Sequence, residues 1–364
     1  MPIDRVTILM IVPTLSAGGS ERIIAFLANN LDRTKFTIFL CVMDRKDNFY
    51  KIDTENVTMI DLHTQRARYA VYKIYKVIRK IKPKIVFSTL GHLNILVAIL
   101  KSFLPREIKF VARESVIPSL GNKYSWNPWL FNFLTRKFYN KFDKIICQSQ
   151  YMQMDLVRNY KIPVTKTIVI NNPVTVLPAK QISYSPVDTY NFLSVGRLAP
   201  EKGYDRILKA LVPIKDKYLY HIVGNGPELN SLTALVQKYG LQGKVMFHGN
   251  VQNPFDKFDH CDIFLMGSRY EGFPNVLLEA GMYKIPTVAF DAPGGIAEII
   301  VNNFNGFLVT DNDVEGYTLA VKKALSYNFE REKFTEYISA RFNGRTIVSQ
   351  YEATFEDLLV SKPG

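Results

Sequence analysis

Residues 191–211 read NFLSVGRLAPEKGYDRILKAL, and residues 6–31 read VTILMIVPTLSAGGSERIIAFLANNL. Each stretch opens on a β-rich run, crosses a loop of small residues and continues with helical apolar spacing. In the N-terminal stretch Ile23, Ile24, Leu27 and Leu31 keep that spacing. Strand then helix is the repeating unit of a parallel sheet, because parallel neighbours need a crossover connection. The unit starts near the N-terminus and starts afresh after residue 190. The chain therefore reads as two doubly wound α/β halves.

Working outward, strands are expected over 36–43, 60–62, 84–89, 109–112, 144–148 and 166–170, with helices over 71–81 and 93–103. The second half alternates in the same way. Its strands are expected over 218–223, 245–247, 263–266 and 287–290, its helices over 205–211, 228–239 and 276–282. Residues 178–190 lack periodicity and are rich in Pro, Ser and Tyr, which marks a linker. The expected organisation is an N-terminal domain over 1–178, a linker over 179–190 and a C-terminal domain over 191–345. Apolar residues at Ile347, Val348, Tyr351, Phe355 and Leu358 predict an amphipathic helix over 346–359 that packs back across the domains. Ligands of such sheets bind beyond the carboxyl ends of the strands. The expected site is thus the cleft between the two sheets.

Composition narrows the classes. A length of 364 residues suits two domains at roughly 100–200 residues each. No apolar run approaches the roughly 20 residues of a membrane-spanning helix. The N-terminus lacks a basic segment and a cleavage site, so no signal peptide is expected. Cys41, Cys147 and Cys261 are widely spaced and in no C-x-x-C pattern, which predicts neither disulfides nor zinc and fits a reducing cytoplasm. Charge is unevenly placed. Residues 1–185 hold 28 Lys and Arg against 12 Asp and Glu, and the remainder hold 18 against 21. The whole excess of positive charge sits in the first half, which predicts an anionic partner there.

Four motifs carry chemistry. Gly18-Gly19 separates a strand from a helix whose free N–H groups suit a pyrophosphate. Gly196-Arg197 follows a strand end, and Lys202-Gly203 lies on the same loop. Two cations there form a diphosphate clamp. Gly224-Asn225-Gly226-Pro227-Glu228 lacks the third glycine of a dinucleotide fingerprint and reads as a structural turn. Ser268-Arg269-Tyr270-Glu271-Gly272-Phe273-Pro274-Asn275-Val276-Leu277-Leu278-Glu279 places two carboxylates eight residues apart. Glu271 falls on a loop and Glu279 on the following helix, where a carboxylate can accept both hydrogens of a ribose diol. Asp311-Asn312-Asp313 matches a D-x-D metal pattern, but Asp313 precedes an apolar-periodic run and reads as an N-cap. No metal and no cofactor are expected.

The ordered set Gly18-Gly19-Ser20-Glu21-Arg22, Gly196-Arg197…Lys202-Gly203 and Glu271-x7-Glu279 resembles the family 4 glycosyltransferases of the GT-B fold. Pro293-Gly294-Gly295 and Asn305-Gly306-Phe307 continue the likeness. The resemblance implies a retaining, metal-independent transfer of a sugar from a nucleotide donor on the 191–345 domain to an acceptor on the 1–178 domain. The sequence does not fix that donor; UDP and an N-acetylhexosamine are the expectation. It implies that Arg197 and Lys202 hold the diphosphate, that Gly18 and Gly19 close over it, and that Glu279 binds the ribose. It implies that Glu271 contacts the donor sugar with Gly272, Phe273, Pro274 and Asn275. Family members often place a His where His92 stands, beside that sugar.

Residues 71–82 (VYKIYKVIRKIK) and 122–144 interleave aromatic and aliphatic residues with Lys and Arg. Such stretches suit an anionic bilayer surface. The expected acceptor is a saccharide, polyprenyl-diphosphate-linked or soluble, used in surface polysaccharide synthesis at the inner face of the cytoplasmic membrane. Two rivals are weighed: a sugar-nucleotide epimerase of the same fold, and a basic nucleic-acid-binding protein. The second has no use for the Glu271/Glu279 pair, so no nucleic-acid partner is expected.

Overall fold

The computed structural model describes residues 5–16, 18–45, 49–64, 67–175, 178, 188–258 and 260–360. Residues 179–187 of the expected linker lie outside that set. The chain divides into two compact units, Met1–Thr175 with Gly344–Gly364, and Val176–Asn343.

The first unit runs β1 (Val6–Val12), α1 (Gly19–Asn30), β2 (Phe36–Val42), β3 (Val57–Asp61), α2 (Ala67–Ile81), β4 (Ile85–Thr89), α3 (Gly91–Lys101) and β5 (Lys109–Arg113). It continues with α4 (Pro118–Gly121), α5 (Pro128–Phe138), β6 (Lys144–Cys147), α6 (Gln150–Tyr160) and β7 (Thr167–Val169). The strands pair in the order β3-β2-β1-β4-β5-β6-β7, all in parallel. Central strands are covered on both faces, so β1 and the Ile85–Phe87 part of β4 are apolar without alternation, and both strands are buried almost throughout.

The second unit runs β8 (Tyr190–Val195), α7 (Tyr204–Leu211), β9 (Tyr218–Val223), α8 (Leu229–Lys238), β10 (Val245–Phe247), β11 (Ile263–Met266), α9 (Asn275–Met282) and β12 (Thr287–Asp291). It ends with α10 (Ile296–Ile299), β13 (Gly306–Thr310), α11 (Val314–Ser326) and α12 (Glu332–Arg341). Its parallel sheet has the order β10-β9-β8-β11-β12-β13.

The last helix, α13 (Gly344–Val360), rejoins the first unit. Ile347, Val348, Tyr351, Phe355 and Leu358 enter the core of β1, β2 and β4, with Phe87 edge-on to Tyr351 at 6.0 Å and to Phe355 at 5.6 Å. This is the periodic face that the sequence displays.

Besides the short α4 and α10, three helices escape the sequence reading. α6 is largely polar and buries only Met152, Asp155, Leu156 and Tyr160. α12 buries only Phe334 and Ile338. α5 mixes six large apolar residues with Asn132, Arg136 and Lys137 and fully buries Thr135 alone, so no face stands out. β3 begins at Val57, ahead of the expected residue 60, because pairing with β2 recruits Thr58 and Met59.

In each sheet the strand order reverses once. The reversal falls between β1 and β4 in the first unit and between β8 and β11 in the second. Neighbouring loops diverge there, which opens a crevice beyond the strand ends. The four loops leaving these strands carry Gly18-Gly19, His92, Gly196–Gly203 and Ser268–Asn275.

Candidate active site

In the second unit two loops are zipped together. The loop after β8 makes a single turn over Pro200–Lys202 and ends at Gly203, whose φ is +59°. A Cβ on Gly203 would stand 2.0 Å from the carbonyl oxygen of Gly267. Only glycine lets the two backbones pass so closely. Arg269 adds further ties. Its N–H donates to Glu201 O (2.8 Å) and its guanidinium to Pro200 O (3.2 Å) and Asp205 Oδ2 (2.7 Å). Arg206, almost fully buried, donates Nε–H to Gly267 O at 2.6 Å and Nη2–H to Ser268 O. Its plane also lies 4.0 Å from the centre of the Phe290 ring, a stacked cation. The 224–228 turn braces the first loop, with Leu198 N–H donating to Asn225 O (3.0 Å) and Glu228 N–H to Leu198 O (3.0 Å). That is the structural role its sequence predicts.

These ties hold a charged cluster. Lys202 Nζ meets Glu271 Oε1 at 2.7 Å, and the Ser268 hydroxyl donates to the same oxygen at 2.7 Å. Glu271 N–H donates to Pro293 O at 2.9 Å. A Cβ on Gly294 would fall 1.6 Å from Glu271 O, at a φ of +130°. Pro293-Gly294 is therefore the backing of Glu271. Lys202 keeps part of its surface open while Glu271 is nearly enclosed. Arg197 stands exposed on the same loop. The cluster presents two cations outward and a carboxylate inward, a preorganised place for a diphosphate beside a sugar.

α9 follows Pro274, which sits at the N-cap rather than in the first turn. Gly272, Phe273 and Pro274 are buried, and Asn275 is half-buried. Pro274 has no N–H, so the backbone donors of this run belong to Gly272, Phe273 and Asn275. Leu277 and Leu278 anchor the helix in the core. Glu279 lies one turn in and is half-buried. Sequence reasoning missed Ser268 as the partner of Glu271. Its position three residues before the glutamate was the available signal.

The D-x-D match is consumed by the fold. Asp311 Oδ1 pairs with Arg206 Nη1 at 2.6 Å. Asp313 caps α11, accepting the Gly316 N–H at 2.8 Å. Among the described residues no group of three or more His, Cys, Asp or Glu could hold a metal ion.

In the first unit Gly18 is the N-cap of α1 and Gly19 its first residue. The Tyr50 hydroxyl donates to Gly18 O at 3.0 Å. The space a Cβ would take on Gly18 is filled by the Glu21 carboxylate, 2.2 Å away. An ionised carboxylate there would oppose a diphosphate. Burial raises the Glu21 pKa, against its own backbone N–H and the Arg113 charge. His92 is the second residue of α3 and is exposed. Desolvation by the surrounding protein lowers its pKa, which favours the neutral imidazole. The residue before that helix, Leu90, has φ +72°, a strained geometry for a side chain of its size.

A buried network braces this turn. The Ser88 hydroxyl donates to Asn94 Oδ1 (2.8 Å). Asn94 Nδ2 donates to Glu114 Oε1 (2.6 Å), and the Tyr139 hydroxyl to the same oxygen (2.6 Å). Glu114 is 2% exposed, and burial pushes its pKa from 4.5 to about 7. A carboxyl raised on folding is held protonated by the native state between those two values. Its cost is absent below the unfolded value, grows as the pH climbs from 4.5 to about 7 and is constant above that. Glu114→Gln is therefore expected to flatten the pH dependence of stability. Denaturant unfolding of wild type should lose up to about 3 kcal/mol between pH about 5 and about 8 that the variant keeps. Equal losses in both proteins would contradict the assignment.

The structure thus brings Arg197, Lys202, Glu271, Gly272, Phe273 and Pro274 onto adjoining loops of the second unit, with Asn275 and Glu279 on the helix that follows. Gly18, Gly19 and His92 flank the strand-order reversal of the first.

Known proteins share this plan. Residues 178–341 match the model of glycosyl transferases group 1, and residues 17–176 match that of glycosyltransferase family 4. One relative, from Campylobacter jejuni, is an N-acetylgalactosamine-N,N'-diacetylbacillosaminyl-diphospho-undecaprenol 4-alpha-N-acetylgalactosaminyltransferase. It is 27% identical over 313 residues, 82% of this chain and 85% of its own. Among solved structures, the lipopolysaccharide outer core galactosyltransferase WaaB in its apo form matches with a TM-score of 0.76 at 18% identity, over 97% of this chain and 100% of that one. Anabaena HepE in complex with UDP matches with a TM-score of 0.78 at 19% identity, over 97% of this chain and 100% of its own. The two parallel sheets, the loops at their reversal points and both family matches lead to one conclusion: the chain is a glycosyltransferase and belongs to the family 4 glycosyltransferases of the GT-B fold.

Proposed function

We propose that this enzyme moves an N-acetylhexosamine from its UDP donor to a saccharide carried on polyprenyl diphosphate, with retention of configuration, in surface polysaccharide synthesis. The observation that carries the reading is the Lys202–Glu271–Ser268 cluster, held rigid by the zipped loops. Arg197 and Lys202 take the diphosphate. Glu279 accepts hydrogen bonds from the ribose diol. Glu271 and the amides of Gly272, Phe273 and Asn275 meet the hydroxyls of the donor sugar, and Pro274 shapes that wall. From the first unit, neutral His92 adds a contact to the sugar, and Gly18-Gly19 closes over the phosphates.

Negative charge grows on the departing diphosphate while positive charge grows on the sugar. Fixed cations and a fixed carboxylate stabilise both without reorganising. A donor phosphate oxygen lies on the face the acceptor must enter. It takes the acceptor proton, so no side-chain nucleophile is required. Lys202, released from Glu271 by the diphosphate, leaves that carboxylate beside the developing oxocarbenium.

The Campylobacter relative supports the acceptor and the N-acetylhexosamine, and UDP in the HepE complex supports the nucleotide. No helix among the described residues is long and apolar enough to cross a membrane. The basic first unit supports peripheral attachment to the inner face of the cytoplasmic membrane, where such an acceptor resides. Incubation with UDP-N-acetylgalactosamine or UDP-N-acetylglucosamine and a polyprenyl-diphosphate saccharide tests the reading. Proton NMR of the product should show the α anomer. A β anomer overturns retention, and epimerised donor formed without acceptor overturns transfer.

A further inference from the structure

Both tryptophans of the chain lie around the start of α5, Trp126 just ahead of its N-cap Asn127 and Trp129 in its first turn, and they are 80% and 75% exposed. Phe133 follows at 46%. Trp129 and Phe133 stack with ring centres 5.8 Å apart and planes within 8°. Trp126 meets Phe131 edge-on at 6.4 Å. Six of the eleven residues of α5 are large and apolar; Leu130, Phe131, Leu134 and Phe138 are half-buried, while Trp129 and Phe133 stand exposed. An aromatic face left open to water beside them is surface that another phase must cover.

Cations frame the ridge. Lys137 Nζ lies 5.7 Å from the centre of the Phe133 ring and 5.6 Å from that of Phe138. Lys141 Nζ lies 4.8 Å from the Phe138 ring and reaches the Ser102 hydroxyl. Beside Ser102, Phe103 is 69% exposed. From Ser115 to Phe142 the chain carries no Asp or Glu. A second copy would present this same cationic face, and like charges would oppose the pairing. An acidic hydrocarbon boundary satisfies both features. Indole rings settle at headgroup depth, the lysine stems follow the hydrocarbon, and their ammonium groups reach lipid phosphates.

We propose that the ridge Trp126–Trp129–Phe133, framed by Lys137 and Lys141, docks this enzyme on an anionic bilayer. The proposal sharpens the membrane reading above by naming one surface, and it is independent of the donor site.

The two tryptophans make the test direct. Emission is recorded as the full-length protein meets vesicles of phosphatidylglycerol and phosphatidylethanolamine, and vesicles of phosphatidylcholine alone. Co-sedimentation is measured in parallel on wild type and on Trp126→Ser/Trp129→Ser/Phe133→Ser, with UDP binding as the check that the variant is folded. The expected result is a blue shift on anionic vesicles only, and partitioning at least about tenfold weaker in the variant. Wild-type sedimentation without a blue shift, or with an unimpaired variant, assigns the membrane contact to another face and overturns this surface alone. No sedimentation of wild type overturns the surface and the membrane reading together. Concentration-dependent association without lipid, lost in the variant, overturns the proposal in favour of contact between copies. A charge-only variant, Lys137→Gln/Lys141→Gln, should weaken binding most at low salt. Salt-independent loss would contradict the role given to the lysines.

Discussion

Lys202→Ala is expected to lower kcat for sugar transfer about a hundredfold to a thousandfold, the effect of deleting one preorganised donor at a developing anion. The loss should fall on kcat more than on KM, because the leaving diphosphate gains charge only in the transition state. Removing Lys202 also strips Glu271 of a partner 2.7 Å away. Ser268 then remains as a donor to the carboxylate. Glu271→Gln should lower kcat as well. The double variant should lose less than the product of the two single effects, since the residues share one interaction. Steady-state kinetics on the four proteins of this cycle check the claim. Fully multiplicative losses would contradict a coupled pair, and a kcat loss below about tenfold for Lys202→Ala would remove the residue from the chemistry.

Glu279→Ala is expected to have the largest effect on binding. A carboxylate that accepts from both ribose hydroxyls contributes about 1.5–3 kcal/mol, so nucleotide affinity should fall about tenfold to a hundredfold. The ribose is untouched by the reaction, so kcat at saturating donor should change little. Glu279 sits one turn into α9, while Leu277 and Leu278 hold that helix in the core. The substitution is therefore expected to leave the fold intact. A large fall in kcat with unchanged affinity would assign Glu279 to a different task.

The fold was legible wherever a segment buries one face or both. β1 and β4 are apolar because both their faces are covered, and α13 shows its stripe because it packs on the first sheet. α5, α6 and α12 were not legible. Their burial is too small to impose a period: α5 half-buries Leu130, Phe131, Leu134 and Phe138 and fully buries Thr135 alone. The site was legible as motifs, because Gly196-Arg197, Lys202-Gly203 and Glu271…Glu279 each lie on a short loop or its helix. What joins them was not. The Gly203–Gly267 approach, the Arg269–Asp205 pair and the Ser268–Glu271 bond link residues about 60 apart or depend on side-chain direction, and no local pattern encodes either. Arg206 is the sharpest case. Its place among six surface-type Lys and Arg residues of the 197–217 stretch gives no hint that it is buried, stacked on Phe290 and paired with Asp311. That pair also explains why a D-x-D sequence here is a structural feature of the fold.

The most direct measurement of the central claim is calorimetry of UDP, GDP and ADP, without added metal, on wild type and on Glu279→Ala. The account predicts that UDP binds wild type and is weakened about tenfold to a hundredfold in the variant. Binding of another nucleotide in place of UDP would reassign the base, and binding untouched by Glu279→Ala would contradict the donor site itself.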